Sequence, residues 1–206
     1  MDYITHFWWH DSLYKTCKNF KIMKKIIAFT LLLLVPSLIF AQKTKPTAPV
    51  LPIDTETSMV SYNNVIDATG VSQKEMYARA IKWVKEFYPI PSSVFQVQDS
   101  INMKIVCKGK FDAKKTLKNG TQQTAERILY NLTIQFKEGR YKYEITKVLI
   151  QGSTSIPVEK YFDENDIAAE DHFATLTSVD ENLTNIANSL KTRLEQPSVK
   201  IKKDEW

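Results

Sequence analysis

From Arg127 to Lys137 every second residue is apolar: Ile128, Tyr130, Leu132, Ile134 and Phe136 share one parity, with mostly polar residues between them. A period of two over that length predicts a strand with one covered and one wet face. The same alternation places a strand over Arg140–Ile150, where Tyr141, Tyr143 and Ile145 oppose Lys142, Glu144 and Thr146. Glu138-Gly139 supplies the tight turn between the two. Asn102–Phe111 sets Met103, Ile105 and Cys107 against Lys104, Val106 and Lys108. Shorter runs predict strands at Met59–Ile66, with Val60, Tyr62 and Val65, and at Val94–Asp99, with Phe95 and Val97.

Two segments carry helical spacing instead. Ser72-Gln73-Lys74-Glu75 has the form of a capping box, after which Tyr77, Ala80, Ile81, Val84 and Tyr88 recur on one face until Pro89 and Pro91. Ser178-Val179-Asp180-Glu181 offers a second box, followed by a stripe of Leu183, Ile186, Ala187, Leu190 and Leu194 before Pro197. Gln151–Asp171 reads as irregular, and it turns acidic towards its end. The order is therefore β-α-β-β-β-β-α. Two helices with one apolar stripe each, and a sheet with one apolar face, pack most economically as a two-layer α+β domain with both helices on one side.

The N-terminal pattern is of another kind. Met23–Gln42 has the form of a secretory signal: Lys24 and Lys25 precede an apolar run from Ile26 to Phe40, and small Ala41 lies before an expected cut at Gln42. Such a run is short for a membrane span. A signal belongs at a start codon, so residues 1–22 are read as an untranslated upstream extension. The expected division is then a signal at 23–41, a proline-containing linker at 42–52, the domain at 53–196 and a charged tail at 197–206. Export to the periplasm or beyond is the expectation.

Export changes the composition that matters. Five lysines and two aspartates lie in residues 1–41, which leaves 23 basic and 21 acidic side chains and a net charge near +2. That removes most of the electrostatic case for nucleic acid as a partner. Of two cysteines only Cys107 remains, so an exported chain has no internal disulfide, and Cys107 is expected as a buried small hydrophobe. No cysteine follows the signal to carry a lipid.

Several stretches resemble a known family. Leu51–Val84, KIVCKGKF at Lys104–Phe111, FKEGRYKYEIT at Phe136–Thr146 and DEW at Asp204–Trp206 are similar to an uncharacterised family of exported bacterial proteins. It is common in Bacteroidetes and described as a domain of unknown function with a TBP-like fold. Cys107 stands where that family usually has glycine. The resemblance implies envelope export and the β-α-β-β-β-β-α architecture, and it implies no known activity. Asp99-Ser100-Ile101 also matches a short acidic–serine–aliphatic pattern that is O-glycosylated in some of these bacteria.

No catalytic constellation stands out. His172 is the one histidine after processing and is expected as an exposed loop residue. Zinc needs several imidazole or thiolate ligands, which one histidine and one distant cysteine do not provide. Asp163, Glu164, Asp166, Glu170 and Asp171 lack the spacing of a calcium loop and read as a solvated acidic stretch. Lys104, Lys108 and Lys110, with Lys114, Lys115 and Lys118 in the next loop, read as lysine protection of a strand edge. Tyr130, Phe136, Tyr141, Tyr143, Trp83 and Phe95 read as core. The alternative is an apolar pocket between the sheet and the C-terminal helix. The reading is a non-enzymatic binding or interaction module with no cofactor, no metal and no catalytic residues. Another envelope protein, a glycan or a small apolar ligand is its expected partner. A carrier of apolar ligands comes second, and a carboxylate-driven hydrolase comes last.

Overall fold

The computed structural model describes residues 47–117 and 119–196. The expected signal at 23–41, the expected cut between Ala41 and Gln42, the expected extension at 1–22, Lys118 and the expected tail at 197–206 lie outside these residues. Five strands form one antiparallel sheet: β1 (Tyr62–Asp67), β2 (Phe95–Asp99), β3 (Lys104–Thr116), β4 (Gln122–Lys137) and β5 (Arg140–Ile150). Their order is β1-β5-β4-β3-β2, and a two-residue β6 (Ile156–Pro157) adds to β5 beyond β1. Helix α1 (Gln73–Phe87) connects β1 to a single helical turn, α2 (Pro91–Val94), and α3 (Ala169–Leu194) ends the domain. The architecture is the expected two-layer α+β arrangement. Among the described residues no helix is long and apolar enough to cross a membrane.

The alternation in β4 holds through the structure: Ile128, Tyr130, Leu132, Ile134 and Phe136 are all buried. They share one core with Ile105 and Cys107 of β3, Tyr141 and Ile145 of β5, and Leu176, Leu183, Leu190 and Leu194 of α3. On α1 the buried residues are Met76, Ala80, Trp83 and Val84, while Tyr77 and Ile81 are only partly covered. Ser72 caps α1 by accepting the Glu75 N–H at 3.2 Å. The helices lock side by side: Trp83 Nε1 donates to Ser189 Oγ at 3.0 Å, and Arg193 pairs with Glu86 at 2.8 Å.

In β5 the inward parity changes part-way. Tyr141 and Ile145 are buried, but so are Val148 and Ile150. A bulge absorbs the extra residue where Lys147 takes φ +54°, so simple alternation fails after Thr146. The first strand begins at Tyr62, and Val60 instead forms an isolated bridge with Ile53. Val65 points to the open face and is 55% exposed.

Other expectations are corrected as well. Strand β3 continues through Lys114 and Lys115 to Thr116, so those lysines are not in a loop. Helix α3 begins at Ala169, not at Ser178. Phe173, Leu176 and Val179 extend the apolar stripe backwards at helical spacing, and the Ser178 hydroxyl is engaged elsewhere. The irregular segment also holds β6 and a 3-10 turn at Val158–Phe162.

Candidate functional site: a split polar groove at the distal hairpin

Strand β2 pairs only with residues 104–107 of β3, so the β3–β4 hairpin runs on beyond it. The distal half of this hairpin lies against the N-terminal half of α3, and two contacts hold it there. The Lys114 N–H donates to Ser178 Oγ at 2.9 Å, and Lys115 Nζ meets Asp171 Oδ2 at 2.9 Å. A buried serine inside a helix thereby satisfies an edge-strand amide that would otherwise face no partner.

Two grooves flank this clamp and meet at Lys115. The larger, about 440 Å³, is lined on the hairpin side by Asp112, Lys114 and Gln122, and on the helix side by Thr177, Glu181 and Asn182. The smaller, about 270 Å³, lies between the start of β4, the 3-10 turn and the first turns of α3. Its lining includes Glu126, Tyr161, Asp171, His172 and Thr175. Much of the charge around these grooves is already paired. Asp112 accepts from Arg127 Nε at 2.6 Å, and that guanidinium holds the carboxyl below its ordinary range. Tyr161 donates to Glu126 at 3.2 Å, and burial followed by the Glu126 charge raises its phenol.

His172 is not the exposed loop residue expected. It stands in the first turn of α3 and stacks on Tyr161, with ring centroids 3.8 Å apart and planes 13° from parallel. Its Nδ1 is buried without a hydrogen bond and lies 4.0 Å from Asp166 Oδ2. Asp163 and Asp166 instead accept backbone N–H groups of Asn165 and Ala168, which shapes the turn before α3. No three histidine, cysteine, aspartate or glutamate side chains among the described residues gather as a metal group.

Cys107 is buried, and burial pushes its thiol up to about 12. The space between sheet and helices, expected as an alternative pocket, is occupied by Met76, Trp83, Leu132, Leu183 and Leu190. The larger groove opens at the edge of this layer, between the distal hairpin and α3, with a polar lining. Sequence spacing missed the split groove because its residues come from two strands and a helix far apart in the chain. Only the unbroken stripe from Phe173 to Leu183 signalled that α3 reaches the hairpin.

The model of a family described as a domain of unknown function (DUF4468) with TBP-like fold matches residues 62–151. Residues 62–151 belong to that family. A TBP-like protein from Parabacteroides distasonis ATCC 8503 is similar in structure, with a TM-score of 0.57 at 16% identity. The match covers 71% of this chain and 98% of that one. A DUF4468 family protein from Bacteroides ovatus ATCC 8483 matches with a TM-score of 0.55 at 14% identity, over 73% of this chain and 94% of its own. At such identity the likeness establishes the TBP-like fold alone. No curated protein matches the chain. The DUF4468 match covers β1 to β5 and stops before α3, so the helical wall of the split groove lies outside it.

Proposed function

We propose that this chain is an exported, non-enzymatic binding domain whose split groove takes a neutral, hydroxyl-rich ligand, a glycan. The observation that carries the reading is the lining of the larger groove. Asp112, Lys114, Lys115 and Glu181 balance in charge, and Gln122, Thr177 and Asn182 add amide and hydroxyl groups. Such a surface offers donors and acceptors without selecting an ion, which suits hydroxyl groups. The candidate nucleophiles support a binding role. The Cys107 thiol is buried and protonated, and the Ser178 and Thr175 hydroxyls serve backbone groups of Lys114 and Asp171. Export rests on the signal pattern at Met23–Gln42, with the periplasm or the exterior as the destination.

The test is expression of the whole chain in a bacterium with a periplasm, then titration of the purified product with neutral oligosaccharides by amide NMR. The expected result is a product beginning at Gln42 and shifts confined to Lys114, Gln122, Thr177 and Asn182. Glu181→Gln should weaken binding about tenfold, the effect of losing one charge-assisted hydrogen bond. Retention of residues 23–41 in the cytoplasm would overturn export. Oligosaccharides that leave these amides unmoved would overturn the ligand class.

A further inference from the structure

The opposite end of the sheet carries a different surface. A groove of about 280 Å³ is lined by Val65 of β1, Gln135 and Lys137 of β4, and Arg140, Tyr141 and Lys142 of β5. The strand register explains how residues far apart in sequence meet there. Val65 lies opposite Lys142, and Lys142 lies opposite Gln135, so the three form one row across three strands. Lys137 and Arg140 face each other in the next row, beside the Glu138-Gly139 turn.

Three of the six lining residues are cationic and none is acidic. Lys142 is partly neutralised by Glu144, with Nζ and Oε1 2.5 Å apart. Asp67 is the register partner of Arg140 on β1, yet no ion pair joins them. Glu138 is turned towards α1, where it accepts the Gln73 N–H at 3.2 Å. Lys137 and Arg140 therefore form no ion pair with any described residue, and both are exposed. An arginine fork and an ammonium at one spot make an anion receptor, because the fork grips two oxygens while the ammonium adds a point charge.

Beside the cations the groove is lined by Val65, Gln135 and Tyr141. Val65 is an exposed aliphatic residue on the solvent face of the sheet. Alkyl stems of lysine and arginine cover such surface while their charged ends reach outwards. An anion alone would leave this floor unused, and an apolar molecule alone would leave both cations unpaired.

We propose that this groove binds a small amphiphilic anion, a phosphate or carboxylate head on a short aliphatic tail. The head would sit between Lys137 and Arg140, and the tail would lie over Val65. The site is separate from the split groove, and it shares no residue with it.

The test uses n-octyl phosphate below its micelle concentration, with inorganic phosphate and n-octyl glucoside as comparisons, against the full chain by amide NMR. Octyl phosphate is expected to shift Val65, Gln135 and Lys142, and to bind at least tenfold more tightly than either comparison. Arg140→Gln and Lys137→Gln should each weaken it about tenfold. Lys108→Gln, on the same face but outside the groove, should leave it unchanged. Because these side chains are exposed, circular dichroism is expected to stay the same in all three variants. Equal binding of inorganic phosphate would overturn the apolar half of the site, and equal binding of octyl glucoside the anionic half. A loss in Lys108→Gln as large as in Arg140→Gln would show diffuse surface charge and sink the proposal.

Discussion

Gly109 leaves the space that the Tyr130 ring fills. A Cβ at position 109 would lie 2.3 Å from Tyr130 Cζ and 2.4 Å from its hydroxyl oxygen, inside any permitted contact. The ring has little room to yield, since Tyr130 is buried and its hydroxyl lies 2.7 Å from that of Tyr88 in a shared hydrogen bond. Gly109→Ala is therefore expected to destabilise the domain by about 1–3 kcal/mol, the usual cost of overpacking a filled core. It should also break the tyrosine pair. Thermal melting checks the loss, and adding Tyr130→Leu should return part of it, because the two changes share one space. If the glycine variant melts like the parent, the close approach of Tyr130 is not a real constraint.

The distal β3–β4 hairpin depends on α3 in a way that one hydroxyl exposes. Ser178→Ala would leave the Lys114 N–H without its 2.9 Å partner, at a cost of about 1 kcal/mol for a partly covered donor. Hydrogen exchange at the Lys114 amide is expected to quicken while Leu132 and Ile134, at the centre of the sheet, keep their protection. Equal quickening at all three would mean global unfolding and no local latch. The same region separates what the residue pattern reveals from what it conceals. Strand β4 was legible because five large inward residues alternate without a break. The end of β3 beyond Phe111 was not, since its one buried position is Ala113, too small to register as a pattern. Ser178 and Glu181 imitate a helix start, yet Phe173, Leu176 and Val179 carry the stripe straight through them. The bulge at Lys147 likewise hides Val148 and Ile150 from simple alternation. None of the three grooves was legible, because each is assembled by strand register or helix position and not by local spacing.

Across the whole molecule the tyrosines couple stability to alkaline pH. Every described tyrosine is held above the ordinary phenol range, mainly by burial. Burial pushes Tyr130 up to about 12, and it raises Tyr88, Tyr62 and Tyr141 further. Tyr62 also donates to Asp180 at 2.6 Å, so ionising it would place two negative oxygens together. In the unfolded chain these phenols lose their protons near pH 10. Above that pH the native state binds more protons than the unfolded one, so stability falls as pH rises. The contribution is fully present below pH ~10. Each such tyrosine adds a slope of about 1.4 kcal/mol per pH unit. Four of them acting together make alkaline unfolding steep. Tyrosinate absorbance and circular dichroism, followed together, should show Tyr77, Tyr143 and Tyr161 ionising first on an intact fold. The remaining phenols should then appear in one step, coincident with loss of structure. A smooth absorbance titration completed while the dichroism stays native would mean that the buried phenols reach solvent without unfolding. The sealed layer between sheet and helices would then be disproved.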